Sequence, residues 1–153
     1  MKFHTLRRQQ WLQRPVDEVF SFFSDARNLG EITPPWLGFQ ILTPEPVRMG
    51  EGARIDYRLG VHGIPMRWTT EIRRWRPPYC FIDVQLRGPY ALWHHTHRFE
   101  SWQGGTRIRD TVRYRLPFGP LGRMMNALLV TRDVRQIFDY REKCIRERFG
   151  GGG

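Results

Sequence analysis

Trp93-His94-His95-Thr96-His97-Arg98-Phe99 reads as a strand with two unequal faces. Side chains alternate across a strand, so Trp93, His95, His97 and Phe99 share one face, while His94, Thr96, Arg98 and Glu100 share the other. The second set suits water. The first combines two imidazoles with two large aromatic rings, and a buried imidazole needs a hydrogen bond, a ligand or a metal to offset its lost hydration. This face therefore reads as the lining of a pocket, as an alternative to plain core.

Alternation continues on both sides of this stretch. Residues 106–116 turn Ile108, Asp110, Val112, Tyr114 and Leu116 one way, and Arg107, Arg109, Thr111, Arg113 and Arg115 the other. Gly104-Gly105 between the two runs is a hairpin signal. Taken as the two-residue loop, it sets Phe99 opposite Asp110, His97 opposite Val112 and His95 opposite Tyr114, with Asp110 diagonal to His97. Upstream, residues 53–61 alternate Ile55, Tyr57, Leu59 and Val61 against Arg54, Asp56 and Arg58. After a turn at Gly63-Ile64-Pro65, residues 66–75 place Met66, Trp68, Thr70 and Ile72 together. Pro77-Pro78 turns the chain into a strand over 79–87, and Gly88-Pro89 leads back to Trp93.

The ends supply the helices. A polar strand over 3–13 precedes Pro15, which with Asp17 and Glu18 marks a helix start carrying Val16, Val19, Phe20, Phe22 and Phe23. A short helical turn over 26–29 ends at Gly30, Thr33-Pro34-Pro35-Trp36 reads as an extended breaker, and 39–43 as a short strand. Pro117-Phe118-Gly119-Pro120 ends the strands and opens one long helix. Its apolar stripe includes Leu121, Met124, Met125, Leu128, Val134, Ile137, Phe138, Cys144, Ile145 and Phe149. Roughly 29 helical residues would span about 43 Å, enough to cross a whole sheet. Residues 1–149 thus form a single domain, and the glycine tail 150–153 is expected to be disordered.

Composition narrows the function classes. The chain has 153 residues, 40% hydrophobic and 14% aromatic, which is enough for a packed core. No run is apolar enough for a membrane span, and the first residues lack a signal-peptide pattern. Cys80 and Cys144 have no zinc or redox spacing, so reduced thiols in a cytoplasmic protein are expected. The formal charge is +10, and 23 of the 25 basic residues are arginine, because Lys2 and Lys143 are the only lysines. The arginines are dispersed among apolar residues, as on the solvated face of a sheet, with no nucleic-acid-binding motif. Nucleic acid is therefore not an expected partner; an anionic membrane surface or an acidic partner stays open.

The order of elements resembles the helix-grip fold of the SRPBCC superfamily, which includes START-type lipid carriers, birch-pollen-allergen proteins and polyketide cyclases. Local motifs carry the likeness further. Pro15, Val19-Phe20 and Phe22-Phe23-Ser24-Asp25-Ala26-Arg27-Asn28-Leu29, then Ile32-Thr33-Pro34-Pro35-Trp36-Leu37, resemble the opening of a bacterial subgroup. So do Gly63-Ile64-Pro65 with Trp68, Phe81 with Asp83 and Gln85, Gly88-Pro89-Tyr90 with Trp93, Pro117-Phe118-Gly119 with Leu121-Gly122, and Ile137-Phe138-Asp139-Tyr140-Arg141. The subgroup is labelled polyketide cyclase-like or, through fused neighbours, cell-division inhibitor-like. The chain lacks the glycine-rich nucleotide-binding segment of the epimerase-like fusion partner. The resemblance implies an α+β domain: a curved antiparallel sheet of about seven strands wrapped around a long C-terminal helix, with two short helices after the first strand.

It also implies a cavity between sheet and helix. Alternation and resemblance together would line it with Tyr57, Trp68, Trp93, His95, His97, Phe99, Asp110 and Tyr114, closed on one side by Met124, Met125 and Leu128. Hydrophobic alternation turns Cys80, Ile82, Val84 and Leu86 inward, whereas the family pattern turns Phe81, Asp83 and Gln85 inward; the expectation follows the family. Arg141 either reaches inward to Asp110, Asp83 or an acidic ligand head, or covers apolar surface with its stem. A metal on His95 and His97, with Asp110 or His62, lacks a third ligand fixed by spacing, and neither metal nor other cofactor is expected. The expected function is binding of a hydrophobic or amphipathic small molecule such as a lipid, an isoprenoid quinone or an aromatic metabolite. The alternatives are a cyclase or dehydratase, in which His97 oriented by Asp110 removes a proton while Tyr114 or Arg141 steadies an enolate, and a basic module docking on a membrane or protein. Ligand identity and oligomeric state are not set by the sequence.

Overall fold

A computed structural model describes residues 3–150. β1 (His4–Leu12) leads to Pro15, whose φ of −61° precedes α1 (Val16–Phe23). A 3₁₀ turn follows at Ala26–Gly30, capped by the Asp25 carboxylate on the Arg27 amide. The expected extended breaker is instead a second 3₁₀ turn, Pro35–Leu37, released by Gly38 at φ 58°. Pro34 supplies the extended entry and the glycine the left-handed exit.

Six more strands follow: β2 (Gln40–Ile41), β3 (Arg54–Val61), β4 (Ile64–Arg76), β5 (Cys80–Arg87), β6 (Leu92–Trp102) and β7 (Gly105–Arg115). They pair antiparallel with β1 in the order β1-β7-β6-β5-β4-β3-β2. Register shifts in the β4–β5 ladder between Thr69 and Thr70 and between Ile72 and Arg74 bend the sheet. A helical run then crosses the sheet: α2 (Gly119–Met125), a π-helical turn (Asn126–Val130) and α3 (Thr131–Arg148). The Gly tail beyond Gly150 lies outside the described residues.

Two hairpin turns correct the sequence reading. His62 and Gly63 (φ 50° and 79°) turn β3 into β4, so Ile64 and Pro65 already belong to the strand. Gln103 and Gly104 (φ 48° and 75°) turn β6 into β7, so the loop is not Gly104-Gly105. Positive φ at both central residues is what a tight hairpin with right-twisted strands requires. Gly105 pairs with Trp102 inside the ladder; a Cβ there would lie 2.2 Å from the Leu12 carbonyl oxygen. The register therefore moves by two: Phe99 faces Ile108, His97 faces Asp110, His95 faces Val112 and Trp93 faces Tyr114. An even slip keeps every side chain on its face but changes every partner.

One end of the molecule is solid. Phe20 of α1 meets Trp75, Phe81 and Phe99 edge-on at centroid distances of 5.3–5.9 Å, and Leu12, Ile72, Ile108 and Ile145 fill around them. Edge-to-face packing suits the ring quadrupoles, and burying a Phe contributes about 1.5–3 kcal/mol. At the other end, separate clusters around Val112–Phe138 and around Leu37, Leu59 and Trp68 leave a gap between sheet and α3.

Candidate functional site

That gap is a cavity of about 600 Å³, large enough for a small organic ligand. β3 and β4 give it an aromatic wall. Tyr57 and Trp68 stack with ring centroids 5.9 Å apart, and Trp93 meets Trp68 edge-on at 5.4 Å. The polar tips of the wall turn to one hydroxyl: Trp68 Nε1 donates to Thr70 Oγ1 at 3.0 Å, with Tyr57 Oη 3.3 Å from the same oxygen. Burial raises the Tyr57 pKa, which keeps the phenol neutral. The wall thus offers ring faces rather than donors.

The opposite pole is charged, and β-sheet geometry builds it. His95 and His97 stand two residues apart on β6, and their rings stack with centroids 3.6 Å apart. In the ladders Asp83 lies opposite His95 and Asp110 opposite His97. Each imidazole nevertheless bonds the diagonal carboxylate: His97 Nε2 to Asp83 Oδ2 at 2.5 Å, and His95 Nε2 to Asp110 Oδ1 at 2.8 Å. Diagonal neighbours across a sheet are within reach of long side chains, and the crossing leaves the two rings stacked with their planes 27° apart. Arg141 of α3 adds a guanidinium 3.8 Å from Asp110, flanked by the rings of Phe23 and Phe138. The site therefore draws on β5, β6, β7 and α3.

The charge states follow from these contacts. Burial opposes ionisation of Asp110, yet Arg141 and the two histidines hold its pKa below the usual carboxylate range. Burial likewise opposes Asp83, and the His97 hydrogen bond prevails, leaving its pKa lowered. Burial and the adjacent His95 push the His97 pKa down to about 4, against the pull of the carboxylates. A neutral His97 donating from Nε2 to an ionised Asp83 satisfies all three. Two buried nitrogens here, His97 Nδ1 and Arg141 Nε, have no hydrogen-bond partner among the described residues. The donor atoms of Asp83, His95 and His97 lie within 4.8 Å of one another and could close on a metal ion, although the neighbouring guanidinium opposes a cation. Asp83 supplies the third donor that spacing along β6 alone did not provide.

Tyr57, Trp68, Asp83, Trp93, His95, His97 and Arg141 all line the cavity, so the family pattern places Asp83 where hydrophobic alternation did not. The remaining expected residues lie elsewhere. Gln85 points toward the next loop, bonding the Tyr90 carbonyl and amide. Phe99 belongs to the solid core. Asp110 sits behind the cavity wall, bonded to His95 and 3.8 Å from Arg141. Tyr114 is buried with its hydroxyl donated to Asn126, which removes it as an enolate partner. Met124, Met125 and Leu128 face solvent. The π turn adds a residue to the helical period, so the inward stripe of α3 does not continue along the same face of α2. Val130, Val134 and Ile137 close the cavity instead. Sequence reading also missed Tyr90, which packs against Trp68 and Trp93, and the bridge of His62 to Asp133 (2.8 Å) between the β3–β4 hairpin and α3.

Known proteins share this architecture. The crystal structure of Ara h 8.0201 is similar with a TM-score of 0.71 at 17% identity, covering 97% of this chain and 98% of that one. Protein Ms6760 from Mycobacterium smegmatis gives 0.65 at 17% identity, with coverage of 94% and 92%. A nucleoside-diphosphate sugar epimerase from Corynebacterium glutamicum gives 0.68 at 21% identity, over 93% of this chain but only 28% of that protein. These likenesses show the fold. No curated protein matches the chain in sequence. Residues 12–140 match the profile described as "Polyketide cyclase / dehydrase and lipid transport". With that match spanning most of the chain, and with the seven-stranded sheet closed by its long helix, the protein belongs to the polyketide cyclase/dehydrase and lipid transport family, within the SRPBCC superfamily.

Proposed function

We propose that the chain binds an amphipathic small molecule, with its apolar body against the Tyr57–Trp68–Trp93 wall and its polar end at the His–Asp–Arg pole. The supporting observation is the cavity itself: about 600 Å³, apolar along most of its surface, with buried ionisable groups gathered at one end. Such convergence is the usual form of a small-molecule site. A lipid, an isoprenoid quinone or an aromatic metabolite would fit this division.

Native mass spectrometry of the chain, after challenge with a panel of those three ligand classes, tests the reading. A reproducible added mass of a few hundred daltons is expected, and Trp93→Ala should lose it. A bare mass against every class would overturn the proposal. The His97–Asp83 pair favours a second reading, acid–base chemistry on the bound molecule, because a neutral imidazole beside a carboxylate can accept a proton. On that reading His97→Gln retains the bound mass and abolishes product formation, whereas a carrier forms no product at all.

A further inference from the structure

The first turns of the C-terminal helical run carry their apolar side chains outward. Phe118 is 78% exposed and Leu128 72%, and Leu121, Met124 and Met125 between them are exposed as well. Positions 118, 121, 125 and 128 make one stripe at helical spacing. The orientation is fixed from beneath. Gly122 is buried so tightly that a Cβ would lie 2.1 Å from the Pro117 carbonyl oxygen. Asn126 is buried, accepting from Tyr114 Oη at 2.9 Å and lying 3.0 Å from His4 Nδ1. The outward stripe is thus the reverse of what a core-packing helix presents.

Charge around the stripe is one-sided. Residues 111–132 contain no Asp or Glu, and the helical part of that segment carries Arg123 and Arg132. Arg123 and Arg132 are exposed. Large exposed apolar side chains interspersed with Arg123 and Arg132 match the boundary of a bilayer with anionic headgroups, where each element finds its own layer. A second copy of the chain would bring like charges together across this face, and a nucleic acid would leave the apolar stripe uncovered. Leu116 and Val130, which bracket the stripe in sequence, both line the cavity. The stripe is therefore flanked in sequence by residues of the cavity wall.

We infer that Phe118, Leu121, Met125 and Leu128, with Arg123 and Arg132, dock the protein on an anionic lipid surface. This docking is independent of what the cavity holds. Co-sedimentation of the full chain with vesicles of phosphatidylcholine alone, and with about a quarter phosphatidylserine, tests it without any cavity ligand. Binding to the anionic vesicles should exceed binding to the neutral ones by about tenfold or more and weaken as salt rises. The Leu121→Ser/Leu128→Ser double variant should lose about tenfold, and Arg123→Gln about fivefold. Both alter exposed positions, and unchanged thermal unfolding would show that they fold. No binding by the wild type, equal binding to both vesicles, or full binding by the double variant would overturn the inference. So would self-association that the double variant abolishes, since it would assign the stripe to a second copy.

Discussion

His97 carries the clearest dependence on solution conditions. Its pKa of about 4 in the fold lies below the ordinary value of about 6.5. Between those values the unfolded chain binds a proton that the folded chain refuses, so stability falls as pH drops through this window. The lowered pKa values of Asp83 and Asp110 extend the loss to lower pH, where protonation removes the charges that anchor His97, His95 and Arg141. Urea unfolding at pH 7 and pH 4.5 should differ by roughly 3 kcal/mol, and His97→Gln, which keeps a donor but does not titrate, should remove most of the difference. Equal stability of the wild type at both pH values would sink this account. The histidines were legible in the sequence because alternation places both on an apolar face. Asp110 was legible as a partner but was assigned to His97 instead of His95, because the turn at Gln103-Gly104 shifts the β6–β7 register by two residues; the bond from His97 to Asp83 depends on the separate β5–β6 ladder.

At the scale of elements, the helical run is two helices of different phase joined by the Asn126–Val130 π turn. Asn126 holds the junction by linking β7 and β1 to the helix through Tyr114 and His4. Asn126→Ala leaves the buried Tyr114 hydroxyl without its acceptor and should cost about 1–3 kcal/mol, read as a lower urea midpoint. An unchanged midpoint would mean that the junction does not depend on this bond. Helical periodicity identified the element from Pro120 onward, and within α3 it sorted Val134, Phe138 and Ile145 correctly as buried. It failed for Met124, Met125 and Leu128 because an ideal period has no place for one extra residue in a turn. The strands were easier to read, since their period of two tolerates errors in turn length so long as they are even.

Across the whole molecule, the aromatic core around Phe20 adjoins the cavity and lends it Ile72 and Phe81 as part of its wall. Stability and binding space thereby meet along a shared wall. Ile137 of α3 lines the cavity and is half-buried. Ile137→Phe should reduce free space without disturbing the aromatic core, weakening binding of a cavity ligand about tenfold while leaving the melting temperature unchanged or higher. A lower melting temperature would show that the cavity wall is already packed. Sheet topology has a further consequence for assembly. Among the described residues every strand pairing joins neighbours in sequence except β1 with β7, where His4 faces Tyr114. As the chain leaves the ribosome, β1 emerges first and waits for the last strand, its edge unpaired until nearly the whole sheet has been made. Loop-closure entropy makes this long-range pairing a late event. In the interval the Arg7-Arg8 pair keeps that waiting edge charged, a safeguard against joining the wrong neighbour.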